Sequence, residues 1–320
     1  MKKIVLATDL GGTNLRMAAV SNEGHILTRV KYKTPQSNNP NKIIDAIVNA
    51  ALECQSGLVD THVVAIAVAV PGIINFDDGI IIKSPNLPEL DGFDFVGAIE
   101  KKLNYRAILE NDANAAVIGE NWLGASVGLS NSIMVTLGTG VGGGIIIDGK
   151  VLRGIDGTAG EIGHINVEPR GHICGCGSFG CIEQYSSATA IVRMAKEIAK
   201  EKSETLILEN RDLTSKDLFQ MAQEGNEIAQ EVFKKQGYYL GIMLAGLINT
   251  LNPEAIVIGG GASAGWDLFI PHLRDQVKIR AYNRPAERAR IVSAELGDDA
   301  GILGAARLGY AKSFQTTTVS

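Results

Sequence analysis

One short pattern occurs twice in this chain, and it restricts the available folds more than any other feature. Ile4 to Thr8 is an apolar, β-rich run, the Gly11-Gly12 pair turns the chain after Asp9, and Leu15 to Val20 reads as a second strand. Asn22-Glu23-Gly24 turns the chain again into a third strand, His25 to Val30. The pattern returns later as Ser132 to Thr136, the glycine run Leu137 to Gly143, the strand Gly144 to Ile147, the turn Asp148-Gly149-Lys150, and a strand opened by Val151-Leu152. Two such units predict two similar halves, each offering one glycine turn to a shared cleft.

Other segments fit an α/β chain. Val63 to Val70 is a continuous apolar run closed by Pro71-Gly72, as in a strand buried on both faces. Arg106 to Glu110 reads as a strand and Ala113 to Trp122 as a helix, which puts Asp112 at a strand-to-helix junction. Periodicity predicts helices over Lys42 to Glu53, Ala188 to Glu201, Ser215 to Glu224 and Glu227 to Thr250. Ala255 to Ile258 is a strand running into Gly259-Gly260-Gly261, Asp298 to Ala311 a last helix, and Ser313 to Ser320 a frayed tail.

The totals narrow the setting. A chain of 320 residues has room for two domains. A net charge of −5 argues against a nucleic-acid surface, which needs a basic stripe. The chain has no run of eighteen apolar residues, so no membrane span is expected. The start, Met1-Lys2-Lys3 and a short apolar run, reads as a strand and not as a signal peptide. Cys54 stands apart from Cys174, Cys176 and Cys181, which is no disulfide framework, and a reducing cytoplasm with metal ligation is expected.

Several motifs can carry chemistry, and each has a plainer reading. In Asp9-Leu10-Gly11-Gly12-Thr13-Asn14 the glycines let backbone N–H groups face a phosphate, and Thr13 adds a hydroxyl donor. Asp9 would repel that phosphate unless a cation intervened, which points to Mg²⁺ held through water. The plainer reading is an ordinary hairpin. Gly138-Thr139-Gly140 forms a second glycine turn. It lacks the Gly-Lys-Ser/Thr ending of a Walker loop and opens a strand, so it is not a Rossmann fingerprint either. Gly260 and Gly261 follow a strand and precede a helix, where a helix N-terminus can receive a nucleotide.

Asp112 is either the cap of the following helix or a general base that takes a proton from a sugar hydroxyl. The spacing Cys174-x-Cys176-x4-Cys181 supplies three thiolates of a tetrahedral zinc site, with His164 or His172 as the fourth ligand. The alternative is three reduced cysteines without metal. Four protein ligands would make the ion structural, a brace for neighbouring loops. Glu161 and Glu183 flank this knot and are either solvated or acceptors for several hydroxyls. Asn86, in the proline-bounded loop Ser84-Pro85-Asn86-Leu87-Pro88, is a polar candidate that on sequence grounds alone reads as a turn residue.

Taken together, Asp9-Leu-Gly-Gly-Thr-Asn14, Leu137-Gly-Thr-Gly-Val-Gly-Gly-Gly144, Gly160-Glu-Ile-Gly-His164, Cys174-Gly-Cys-Gly-Ser-Phe-Gly-Cys-Ile-Glu183 and Ile258-Gly-Gly-Gly261 resemble the ROK family of repressors, open reading frames and sugar kinases. The motifs stand in the family's order from the first strand to the last helix. The resemblance implies an actin-like ATPase (ribonuclease H-like) fold, with a nucleotide and sugar cleft between two domains. The expected domains are 1–115 plus 300–320, and 116–299 with the zinc knot.

The resemblance also implies an ATP-dependent kinase for the 6-hydroxyl of glucose, using Mg²⁺, structural Zn²⁺ and a homodimeric or tetrameric assembly. N-acetylmannosamine, N-acetylglucosamine, fructose and allose are the alternative sugars, and a non-catalytic sugar-sensing regulator is the alternative of another class. Asp112 falls on the family's base, and Asn86, Asn111, Glu161, His164 and Glu183 on its sugar contacts. His164 falls on its fourth zinc ligand, so that its two ring nitrogens would serve metal and sugar. Asp9, Gly11, Gly12, Thr13, Asn14, Gly138, Thr139, Gly140, Gly260 and Gly261 fall on the nucleotide loops. Family repressors carry a helix-turn-helix before the first loop. Here that loop begins at residue 9, which favours the kinase expectation. The stretch Pro88 to Asp94 is longer than the loop expected after Asn86.

Overall fold

The computed structural model describes residues 1–204 and 212–314. The chain divides into two compact units, Met1–Gly128 with Gly144–Gly160 and Glu295–Ser320, and Leu129–Gly143 with Glu161–Ala294.

In the first unit β1 (Lys2–Leu10), β2 (Asn14–Ser21) and β3 (Ile26–Lys33) form an antiparallel meander. Helix α1 (Pro40–Gln55) is capped by the Asn39 side chain and begins on Pro40, whose missing N–H costs nothing there. Strand β4 (Thr61–Val70) then pairs with β1 in parallel. A small antiparallel sheet follows, made of β5 (Ile73–Asn75), β6 (Ile80–Lys83) and β7 (Phe93–Asp94). Helix α2 (Phe95–Leu103) leads to β8 (Ala107–Asn111), parallel to β4, and α3 (Asp112–Leu123) starts where β8 ends.

The apolar character of β1 and β4 follows from their position in the order β3-β2-β1-β4-β8, where both faces are covered. Alternation along each strand sorts the side chains by size. Ile4, Leu6, Ile66 and Val68 face a core shared with Ile43, Ile47, Phe95 and Ile99 of α1 and α2. Val5, Ala7, Ala65, Ala67 and Ala69 face the opposite side, with Ala115, Ile302, Leu303 and Ala306. The small residues let two helices lie close to the sheet.

A second five-stranded sheet contains β9 (Ser132–Leu137), β10 (Val141–Ile147), β11 (Lys150–Val151), β12 (Ala255–Gly259) and β13 (Arg290–Ser293). Its order, β11-β10-β9-β12-β13, repeats that of the first sheet strand for strand, with β12 again parallel to both neighbours. The doubled sequence pattern is therefore a doubled topology, and the fold is the ribonuclease H-like arrangement of actin-like ATPases.

The helices of the second unit are α4 (Glu183–Ser186), α5 (Ala188–Glu201), α6 (Ser215–Gln223), α7 (Glu227–Leu251), α8 (Trp266–Arg280) and α9 (Asn283–Arg288). Val232, Phe233, Leu240 and Leu244 of α7 are buried, as are Phe269 and Leu273 of the adjoining α8. Helix α10 (Ala300–Phe314) closes the first unit.

The unit boundaries lie elsewhere than at residues 115 and 300. Helix α3 packs along α10, so its whole length stays with the first unit. Residues 144–160 join that unit too, where Arg153 pairs with Glu110. Ser313 continues α10, and the rest of the expected tail, 315–320, lies outside the described residues. No helix among the described residues is long and apolar enough to cross a membrane.

Candidate active site

The turn between β1 and β2 is held by its own backbone and by the segment after β3. The Gly11 N–H donates to Asn14 O at 2.9 Å, the Thr34 hydroxyl donates to Gly11 O at 2.6 Å, and the Gln36 amide donates to Gly12 O at 2.9 Å. Thr13 at its tip is exposed. Asp9 is not an isolated carboxylate. Arg16 Nη2 lies 2.6 Å from its Oδ2, and Arg16 Nη1 lies 2.9 Å from Asp298. Burial pushes the Asp9 carboxyl above its ordinary range, and the Arg16 guanidinium pulls the other way. Asp9 still supplies one carboxylate, the donor count with which Mg²⁺ commonly joins phosphates and water.

The second turn joins β9 to β10, with the Gly138 N–H donating to Gly140 O at 2.9 Å. It is fastened from behind by the segment 183–189. The Ala188 N–H donates to Gly138 O at 2.8 Å and the Thr189 hydroxyl to Thr139 O at 3.3 Å. Glu183 Oε2 accepts the Val141 N–H at 3.1 Å. The same oxygen lies where a Cβ at position 140 would stand, so a larger residue there would turn the Glu183 carboxylate off the Val141 N–H. Ala188 and Thr189 also line an open groove of about 740 Å³ that passes Arg193 and Lys196 on α5. Gly260 and Gly261 follow β12, but a 3₁₀ turn, Gly261–Gly265, separates them from α8. The helix N-terminus expected at these glycines therefore begins later, at Trp266.

Asp112 is the first residue of α3 and is half-buried. The cap belongs to its neighbour. Asn111 Oδ1 accepts the N–H groups of Ala113 at 3.0 Å and Asn114 at 3.1 Å, while Asn111 Nδ2 donates to Gly72 O at 3.2 Å. Asp112 Oδ1 also accepts from the Ala113 N–H at 2.9 Å. Capping, the plainer explanation of Asp112, thus falls chiefly to Asn111. Asn86 is exposed in the loop after β6, and this loop packs on Gly12.

The cysteine knot assembles four donors. Ligand atoms of His164, Cys174, Cys176 and Cys181 all lie within 4.8 Å of one another. Tetrahedral zinc, with sulfurs about 2.3 Å from the ion, sets its ligands about 3.7 Å apart. The Cys176 and Cys181 sulfurs are 3.7 Å apart, and Cys174 Sγ is 3.6 Å from His164 Nδ1. The donor set fits the ion. Burial, together with the neighbouring thiols, pushes the Cys181 thiol up to about 12, while a backbone hydrogen bond at Ser178 lowers that of Cys176.

His172 is turned elsewhere, with Nε2 at 2.5 Å from Arg193 and 3.6 Å from Glu197 on α5. Spacing left His164 and His172 open, and the geometry separates them. His164 Nε2 points away from the knot, 3.9 Å from Glu161. Glu183 leaves the knot at its other end, with Oε1 3.9 Å from Cys174 Sγ.

Two buried acids were not anticipated. Glu110 meets Arg153 and Asn114, and Glu120 accepts backbone N–H groups from Ala125, Glu295 and Leu296. The only signal for Glu110 was a lone charge at the end of an apolar strand run.

A model of the ROK family matches residues 5–312. The glucokinase of Halalkalibacterium halodurans is 38% identical over 306 residues, 93% of this chain and 92% of that protein. The structure of a ROK hexokinase from Thermus thermophilus is similar with a TM-score of 0.83 and 30% identity, covering 98% of this chain and 99% of that one. A ROK family glucokinase from Streptomyces griseus, solved in complex with glucose and AMPPNP, is similar with a TM-score of 0.81 and 34% identity over 96% of this chain and 99% of that one.

Proposed function

The chain belongs to the ROK family, and from its likeness to that family's sugar kinases we propose that it transfers the γ-phosphoryl group of ATP to the 6-hydroxyl of glucose. The observation that carries this reading is the similarity, over 96% of the chain, to a glucokinase solved with glucose and an ATP analogue. Asp112 is its base. As O6 attacks the γ-phosphorus the new O–P bond forms, the bond to the β-phosphate oxygen breaks, the proton passes to the Asp112 carboxylate, and ADP leaves.

The turns at Gly11–Asn14 and Gly138–Gly140, with Gly260 and Gly261, are assigned to the nucleotide. The first two turns are anchored before ATP arrives by Thr34, Gln36, Ala188 and Thr189, so little reorganisation accompanies the transfer. Mg²⁺, held near Asp9, would offset charge on the phosphates. Asn86, Asn111, Glu161, His164 and Glu183 are assigned to the sugar hydroxyls. Zn²⁺ at His164, Cys174, Cys176 and Cys181 would supply only a structural brace, because the protein fills all four positions.

A coupled ADP-release assay over a sugar panel tests the reading. Glucose is expected to exceed N-acetylmannosamine, N-acetylglucosamine, fructose and allose in kcat/KM by about tenfold or more. A different leading sugar would replace glucose and leave the kinase standing. Sugar binding without ADP release would favour a regulator. Elemental analysis of freshly purified protein is expected to find about one zinc per chain. Active protein without metal would remove the zinc assignment.

A further inference from the structure

We propose that Glu110 and Arg153 form a buried ion pair that positions Asp112 and acts on turnover far more than on sugar affinity. The inference rests on reading Asp112 as the base. Glu110 is the penultimate residue of β8 and is 2% exposed. A carboxylate at that depth persists only when its charge and its lone pairs are met.

The groups that meet them belong to the junction itself. Oε1 accepts the Asn111 N–H at 3.1 Å and the Asn114 side-chain amide at 3.1 Å, and Oε2 meets Arg153 Nη2. Asn111 in turn caps α3 and holds Gly72. Residues 110, 111 and 114 are therefore tied into one network, and Asp112 sits between them on a backbone with little freedom to shift.

Arg153 is itself anchored. Its guanidinium lies over the Phe76 ring, 5.0 Å from the centroid, and its carbonyl accepts the Ala159 N–H at 3.1 Å. A planar guanidinium pressed on an aromatic ring holds its partner in a fixed direction, which an ammonium on a flexible stem does not. Removing Arg153 leaves Glu110 buried with an uncompensated charge. The cheapest relief is for Glu110 to turn away, and that releases the Asn111 N–H and the Asn114 amide with it. Displacement of a reacting group by about 1 Å is enough to cost about 10²-fold in rate.

The test measures kcat by ADP release, sugar affinity by calorimetric titration, and folding by thermal melting, on the full chain. Arg153→Met is expected to lower kcat by about 10- to 100-fold, while the sugar Kd, which feels the release of Asn111, rises by no more than about fivefold. Arg153→Lys, which keeps the charge, is expected to fall between Arg153→Met and the parent. Glu110→Gln combined with Arg153→Met is expected to recover part of kcat, because the stranded charge is gone. If kcat of Arg153→Met and Arg153→Lys stays within about twofold of the parent, or if kcat and sugar affinity fall together with the folded fraction, the pair is only structural and the inference is overturned. A parent chain that turns over none of the sugars overturns the kinase reading, and this inference with it. A parent that turns over beside unaltered variants overturns this inference alone.

Discussion

Replacing Asp112 by Asn is expected to lower kcat by about 10²- to 10⁴-fold while leaving sugar binding nearly intact. The substitution is close to isosteric. The introduced amide oxygen can still accept the Ala113 N–H that Asp112 Oδ1 accepts at 2.9 Å, and Asn111 retains the cap of α3, so the junction keeps its shape. What disappears is the charge and the capacity to accept a proton. A primary alcohol is a poor nucleophile until its proton is taken, so the loss should fall on the chemical step. Single-turnover rates with ATP and glucose, set beside calorimetric sugar titration, separate the two quantities. Near-parental turnover would falsify the base assignment, and a matching loss of sugar affinity would make Asp112 a binding residue instead.

The largest effect on stability is expected at Glu120. Its side chain is fully buried, and its two oxygens accept the N–H groups of Ala125 at 2.8 Å, Glu295 at 3.1 Å and Leu296 at 2.9 Å. The carboxylate ties the end of α3 to the segment that enters α10. Glu120→Ala would take the shared acceptor from three part-buried N–H groups, and a cost of about 3–5 kcal/mol is expected, since each orphaned group carries about 1–3 kcal/mol and the terms are not additive. Glu120→Gln retains one acceptor but turns an NH₂ toward a donor, so its loss should be about half as large. Urea unfolding followed by tryptophan fluorescence measures both, Trp122 lying two residues away on α3. A shift below about 1 kcal/mol for Glu120→Ala would mean that water replaces the carboxylate.

Much of the fold was legible because burial writes itself into composition. Strands covered on both faces, such as β1 and β4, must be apolar along their covered stretch, and Ile4 to Ala7 and Val63 to Val70 read that way. The expected helix over Ala188 to Glu201 matches α5, and the repeat of strand and glycine turn matches two sheets of one order. Elements at the margins were silent. β13 is a four-residue edge strand with both ends exposed, and the helix expected after Gly261 showed no bounds, because α8 carries Pro271 within a run of mixed charge. The strands β5, β6 and β7 are too short to show a period.

The candidate site was legible where one segment carries several donors, as in the cysteine knot. It was not legible where partners are distant in sequence. Glu110 and Arg153 are 43 residues apart, and the lone charge at the end of β8 does not say which residue meets it. The choice between His164 and His172 likewise needed geometry, because Arg193, which draws His172 away, lies on α5.

The contact between Gly12 and the Asn86 loop carries a consequence for how the sugar range of such an enzyme can change. A Cβ at position 12 would stand 3.0 Å from Asn86 O and 3.2 Å from Asn86 Cβ, so the two loops share one boundary with no slack. If the first loop holds phosphate and the second holds sugar, a residue change that reshapes either one is transmitted to the other. Acceptor preference and donor preference would then drift together under selection, and an engineer who widens the pocket at Asn86 should expect to retune nucleotide use in the same step.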